Sequence, residues 1–401
     1  MNKKLGLAVA GALLAAASSA NAGITIPAGD WTVDIGGNVN AFYTHTSFSG
    51  RAETAGAGTK NQVQTGLLPS ALGIGAKTRQ NDLDIGFQFT FFTGGQAGNV
   101  LGSPLASSTG GSQGNSTAGG GNSLNIRQAF MTVGDASWGQ FKLGRDLGIF
   151  GSDAILSDMT LLGVGNGAGG NGSSTLGRIG SGYVYADWVG QIQYSTPNWN
   201  GFQVTAAVRE PLDNTPFGNP ATKTELGFDG KATYDFAAND VTGRVWLGGI
   251  SQKHNTPGAT YTSDAVEVGA KVAYAGAQVV GYYYDGSGID GQLGLFTDNG
   301  TALGGLQFLG GQKTKDSGGY VQGTFAVPGV GTKLGASWGE SNSTTADGLT
   351  ETRNESWIVG AYHPLTKSLN LVAEYTNAKL KVTNAAESEA KTVSLGAIMF
   401  F

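Results

Sequence analysis

The chain contains no cysteine, which excludes a disulfide framework, thiolate metal sites and a cysteine nucleophile. Charge is also scarce. Asp, Glu, Lys and Arg make up 13% of the 401 residues, about half the usual share of ~25%. The net charge is −5. An acidic chain without clustered Lys and Arg disfavours nucleic acid as a partner, because phosphate binding needs such clusters. Histidine occurs only at positions 45, 254 and 363, so a Ser-His-acid constellation has little to draw on. There is no HExxH, CxxC or EF-hand pattern, and Gly163-Val164-Gly165-Asn166-Gly167 lacks the Lys-Ser/Thr that ends a phosphate-binding loop. The chain is expected to be no enzyme and to carry neither cofactor nor metal. No stretch after residue 22 reaches the 18 apolar residues of a membrane-crossing helix.

What is abundant is glycine, 68 residues, with no Gly-X-Y repeat. Inside a helix each would cost about 1 kcal/mol relative to alanine, so a helical protein is disfavoured. Hydrophobic residues are 40% of the chain, too many for a disordered one.

The first 22 residues have the form of an export signal. Lys3 and Lys4 precede an apolar run from Leu5 to Ala17, and Ala20-Asn21-Ala22 matches the small-residue cleavage pattern. Cleavage there would leave residues 23–401 as one domain and, with two lysines removed, a net charge of −7.

Beyond residue 22 the recurring period is two, the signature of strands with two different faces. Trp31, Val33, Ile35, Val39, Ala41 and Tyr43 alternate with Thr32, Asp34, Asn38, Asn40 and Thr44. Leu83, Ile85, Phe87, Phe89 and Phe91 alternate with Asp82, Asp84, Gln88 and Thr90. The same holds for Leu226 to Phe236, and for Val266 to Tyr274 around Glu267 and Lys271. These strands are longer than the ~5–6 residues usual in soluble sheets, and aromatics such as Trp31, Trp138, Trp199 and Trp357 sit near their ends. A sheet in hydrocarbon has to close, because open edges leave backbone groups unpaired.

The pattern divides into about 16 strands: 31–45, 66–78, 81–93, 123–134, 138–146, 187–196, 199–209, 223–236, 240–253, 262–275, 276–286, 316–327, 331–341, 353–363, 367–380 and 390–401. Short turns alternate strictly with long loops, of which 46–65, 94–122, 147–186 and 287–315 are the longest. That alternation predicts an all-β, antiparallel transmembrane barrel with short periplasmic turns and long external loops. Val393, Leu395, Ala397, Met399 and Phe401 give the last strand a terminal aromatic in phase with its apolar face.

At three places the chain resembles the general, trimeric, 16-stranded porins of Gram-negative outer membranes, most of all their neisserial and betaproteobacterial branch. These are Asn125-Ile126-Arg127-Gln128-Ala129-Phe130, Phe141-Lys142-Leu143-Gly144-Arg145, and Gln191 to Phe202 with Tyr194-Ser195-Thr196-Pro197. The resemblance implies an outer-membrane channel for passive diffusion of small hydrophilic solutes and ions. It also implies a homotrimer in outer-membrane lipid, and a third loop, 147–186, folded into the pore. The constriction residues it implies are Arg127, Arg145, Asp146, Asp153, Asp158 and Arg178, with further basic side chains at Lys77, Arg79, Arg209 and Arg244. Strand parity places Arg145 on the face of Phe141 and Leu143, in conflict with a pore position. Arg127, Arg145 and Arg178 set against Asp153 and Asp158 imply a weak anion preference. Two other functions fit the pattern: a substrate-specific porin for a small organic anion or sugar, with Tyr282, Tyr283 and Tyr284 as an aromatic slide, and an adhesin or structural barrel.

Overall fold

The computed structural model describes residues 23–50, 58–94, 125–167, 174–211, 225–256, 259–289, 308–309, 312–345 and 347–401. The expected export signal, 1–22, and most of the loops 94–122 and 287–315 lie outside the described residues. In chain order the strands are β1 (Ile24–Ala28), β2 (Trp31–Gly50), β3 (Thr59–Gln64), β4 (Ser70–Gln80), β5 (Leu83–Thr93), β6 (Asn125–Asp135) and β7 (Gly139–Leu147). They continue with β8 (Trp188–Ser195), β9 (Phe202–Arg209), β10 (Gly227–Ala238), β11 (Val241–Thr256), β12 (Ala259–Tyr274) and β13 (Ala277–Ser287). The last are β14 (Phe308–Leu309), β15 (Gln312–Lys313), β16 (Lys315–Ala326), β17 (Lys333–Thr344), β18 (Glu351–Pro364), β19 (Leu369–Val382) and β20 (Ser388–Phe400).

Strand β2 is the seam of the sheet. On one flank it pairs first with β1, Ile24 opposite Ile35, and then with β20, from Asn38 opposite Phe400 to Gly50 opposite Ser388. On its other flank it pairs with β4 over Thr32 to Asn38 and with β3 over Phe42 to Ser47. Thus β1 and β20 share one place in the wall, and β3 and β4 share another. The β14–β15 hairpin stands apart. The result is a closed barrel of 16 antiparallel strands. The C-terminus completes the closure: Gly37 and Phe401 exchange backbone hydrogen bonds of 2.9 and 3.1 Å. Closure leaves the sheet without an unpaired edge.

The short connections are tight. Asn81 and Asp82 (φ 48° and 62°) join β4 to β5, and Ala275 and Gly276 (φ 48° and 83°) join β12 to β13. Two central residues with positive φ make the turn whose twist suits a hairpin. The first turn falls two to three residues later than expected. The hydrophobic alternation ends at residue 45, whereas β2 runs to Gly50, and β3 lies within the expected loop 46–65. Polar residues paired above the apolar band carry no hydrophobic alternation, so period two does not mark these strand ends.

The apolar rows face outward. Val39, Phe89, Phe228, Leu247, Val266, Val268 and Leu395 are exposed, while Asn40, Thr44, Thr90, Thr233 and Ser394 on the opposite rows are buried. A soluble sandwich would show the reverse. Outer aromatics cluster toward the short-turn end, with Trp31 6.1 Å from Phe87 and Phe141 5.0 Å from Tyr194. Tyr282–Tyr284 divides accordingly: Tyr283 faces outward, and Tyr282 and Tyr284 are buried inside.

Candidate functional site

Between β7 and β8 the chain runs along the inner wall. This segment carries a short helix, α1 (Ser152–Ser157), followed by a 3-10 turn over Met159–Leu162. Its apolar side chains explain why it does not extend into water. Ile149, Phe150, Ala154, Ile155, Val164, Tyr183 and Val184 are buried, and Leu156 and Leu162 half-buried. Full burial of a large aliphatic or aromatic side chain contributes about 1.5–3 kcal/mol. Their partners are inward residues of the wall: Trp246, Ile250, Tyr282 and Tyr320 on one side, Phe42, Ile358 and Ile398 on the other.

The polar groups of the segment are matched as closely. Asp229 on β10 accepts the N–H of Ile149 at 3.0 Å. Glu267 on β12 accepts the N–H of Gly151 at 2.9 Å and the hydroxyl of Tyr282 at 2.9 Å. Glu374 on β19 accepts the N–H groups of Val164 and Gly165 at 2.8 and 2.7 Å, and the hydroxyl of Tyr362 at 2.6 Å. On β16, Gln322 accepts from Met159 N–H at 2.8 Å and donates to Ser157 O at 2.9 Å, and Tyr320 donates to Ala154 O at 2.8 Å. Three buried carboxylates thus use their lone pairs on the turns of the segment, where no helix or strand supplies partners. Charge-assisted bonds of this kind contribute about 1.5–3 kcal/mol each. Glycine is required at two of these contacts. A Cβ on residue 163 would lie 2.1 Å from Glu374 Oε1, and Gly165 (φ 57°) lies against Gly177. At these positions the glycines allow a close approach of backbone to wall.

Asp153, in the first turn of α1, forms ion pairs with Lys231 on β10 and with Arg244 on β11, the latter at 2.9 Å. Burial pushes its carboxyl up, but the Lys231 and Arg244 charges outweigh that and hold it at about 2. Asp158 ends α1 and caps the following turn, accepting the N–H of Thr160 at 2.9 Å and the hydroxyl of Tyr183 at 2.8 Å. Arg178 is wholly buried and donates to Ser356 Oγ at 3.0 Å and to the carbonyls of Ser181 and Ser356. Burial lowers its pKa.

The other expected site residues are dispersed. Asp146 is inward on β7, accepting from Lys142 and, at 2.8 Å, from Gln128. Arg127 is the extra residue where the β5–β6 register shifts. Its buried guanidinium lies 4.9 Å from the centroid of the Phe92 ring. Register sets Arg145 opposite Ala129 and Gly190, but Gly144 before it takes φ 126°, and the Arg145 side chain is half-buried, with its Nε out of solvent and its charge acting on the buried Arg127. Of the expected basic set, Lys77 pairs with Asp34 at 3.2 Å and Arg79 with Asp84 at 2.9 Å, while Arg209 is buried. Of the expected six, Arg145 acts on Arg127 and Asp158 on Arg178 through their charges. Asp153, Asp158 and Arg178 fasten the segment to the wall.

Lys231, Asp229, Glu267 and Glu374 were missed as site residues. The signal available was their place in the polar rows, where a central carboxylate has to find a donor.

A closed barrel with an apolar outer band, polar inner rows and a long segment inside is the architecture of an outer-membrane channel. The chain matches the family model of the Gram-negative porins over residues 7–383 and belongs to that family. No curated protein sequence matches it. Among solved structures it is similar to the outer-membrane channel DcaP of Acinetobacter baumannii, at 15% identity and TM-score 0.67, over 95% of this chain and 100% of that one. It is also similar to an anion-selective porin from Comamonas acidovorans (17%, TM-score 0.61, 92% and 100%) and to Salmonella typhi OmpF (15%, TM-score 0.57, 93% and 100%). The protein is a multi-pass outer-membrane channel for passive diffusion of small solutes.

Proposed function

We propose that this channel is a general one for small hydrophilic solutes and ions, without enzymatic activity, and that residues 148–187 set its bore. The observation that carries this reading is the fastening of the segment to the inner wall by Asp229, Glu267 and Glu374. A segment held in this way keeps one cross-section, which a sieving channel requires. Burial of Tyr282 and Tyr284 beneath the segment withdraws them from water and counts against an aromatic slide for a specific sugar.

The protein is proposed to work as a homotrimer in outer-membrane lipid, with no nucleic-acid partner, after removal of residues 1–22. The Arg127-Gln128-Ala129-Phe130, Phe141 to Arg145 and Gln191 to Phe202 motifs support placement in the neisserial and betaproteobacterial branch. Single-channel recording of the purified protein in a planar bilayer tests the function. The expected result is discrete openings in potassium chloride without added substrate. A folded barrel that gives no openings rejects the reading.

A further inference from the structure

The chain between β3 and β4 does not keep to the wall. Asn38 pairs with Ala71 and Phe42 with Gln64, so three residues of β2, 39–41, stand against six, 65–70. An insertion of this kind has to leave the sheet. It leaves inward: Thr65, Gly66, Leu67, Leu68 and Pro69 are all buried. Backbone groups that lose their ladder partners need others. The Asn40 side chain, on the inner row of β2, bridges the bulge. Its Oδ1 accepts the N–H of Gly66 at 2.8 Å, and its Nδ2 donates to Leu68 O at 2.8 Å. Two further groups turn to the inner segment. Leu67 N–H donates to Gly163 O at 2.9 Å, and Gly66 O accepts from the N–H of Thr175 at 3.1 Å. The bulge thus bonds two limbs of the segment, which also bond each other through Asn166 N–H to Gly177 O at 2.8 Å and Gly177 N–H to Val164 O at 3.1 Å. From β19, Glu374 holds the first of these limbs through Val164 and Gly165. The fit is close. A Cβ on Gly66 would lie 2.1 Å from Gly163 O, and one on Gly177 would lie 2.4 Å from Leu67 Cδ2. Leu67 belongs to the buried cluster of Leu161 and Ile179, and Leu68 to that of Phe42, Val164 and Ile398.

We propose that residues 65–69 are a clasp, with Leu67 and Asn40 as positioning residues, which fixes the limbs 163–167 and 174–177 in the lumen and so sets the largest neutral, sugar-sized solute that passes. The wall does not need the bulge, because β2 pairs regularly with β4 on one side of it and with β3 on the other. Two leucines inside a water-filled channel have no lipid to face, and what they cover is the segment. Held from β19 alone, the first limb would turn about one carboxylate. Held from the β2 side as well, it keeps one position. This inference rests on the channel reading above and adds a second element to the one proposed there to set the bore.

The test is single-channel conductance together with the size cut-off for neutral poly(ethylene glycol)s of graded length. Wild type is compared with Leu67→Ala, Leu67→Met and, as an outward control on β4, Leu72→Ala. Folding of each variant is checked by its heat-dependent gel mobility. Leu67→Ala is expected to raise conductance and open-channel noise and to admit longer polymers. Leu67→Met, which conserves volume, is expected to restore wild-type values, and Leu72→Ala to change nothing. In a channel lacking residues 153–172, Leu67→Ala is expected to add nothing, because Gly163, which Leu67 binds, is gone. If folded Leu67→Ala keeps the wild-type conductance and cut-off, the clasp is wrong and the channel reading stands. An equal rise in Leu72→Ala, or one of the same size in the deletion background, also overturns the clasp. If wild type forms no channel, both fall. Should Leu67→Ala fail to fold, Asn40→Asp carries the test, since it keeps the acceptor for Gly66 and loses the donor to Leu68. A folded Asn40→Asp with a wider cut-off supports the inference, and one with the wild-type cut-off overturns it.

Discussion

Asp153 shows how one side chain joins the inner segment to the barrel. Its two oxygens go to different strands, through Lys231 and Arg244. Its folded value of about 2 lies below the ordinary 3.8, so ionised Asp153 stabilises the folded state above the ordinary value. That stability is lost as pH falls through the folded value. The magnitude is about 2 kcal/mol. The difference in heat-unfolding midpoint between wild type and Asp153→Asn should therefore stay constant from neutral pH to about pH 4, and shrink toward pH 2. Gel-mobility melting across that range measures it, and a difference already gone near pH 5 contradicts the assignment. Asp153 entered the expected site only through the resemblance, which placed it in the inward loop. Of its partners, Arg244 was among the expected basic residues and Lys231 was not. Lys231 and Arg244 precede and follow a hairpin turn some 80 or more residues away, and only pairing brings them to one height.

At the scale of elements, each strand has to satisfy hydrocarbon on one side and water on the other. Leu247, among the most exposed of the outward residues, lies mid-strand on β11. Leu247→Arg is expected to cost about 2–4 kcal/mol, the cost of a cation near the bilayer midplane, and to lower the yield of barrel refolded into lipid vesicles. The equivalent change at Lys271, on an inward row, should leave that yield nearly unchanged. The inner segment obeys another rule. Its apolar side chains have no lipid to face, so they are covered by Trp246, Tyr320 and Ile358 instead. Deleting residues 153–172 should raise single-channel conductance while the barrel still folds. Unchanged conductance in a folded deletion variant would place the segment outside the conducting path.

For the whole molecule, closure through β2 and β20 is what permits a membrane protein with 13% charged residues and no long apolar run. The lipid sees only alternate residues, so the average hydropathy stays near zero while the outer band is apolar. Assembly is a separate matter. A homotrimer should appear as a three-subunit band after cross-linking in mild detergent, and a pattern of monomer alone rejects it.

The sequence by itself determined the architecture, because its evidence is local. Period two survives in every strand that separates two solvents, and loop lengths alternate wherever hairpins alternate between two membrane faces. Faces such as that of Val266, Val268 and Tyr274 were readable from a dozen residues. Strand ends beyond the apolar band were not, since β3 and the last residues of β2 pair without touching hydrocarbon. The site was decided only by the tertiary structure. Val164 meets Glu374 across 210 residues and Gly151 meets Glu267 across 116. Where Arg127 comes to lie turned on one register shift. Such contacts follow from the order in which the strands close and from the path of one segment across them, and residue spacing along the chain records neither.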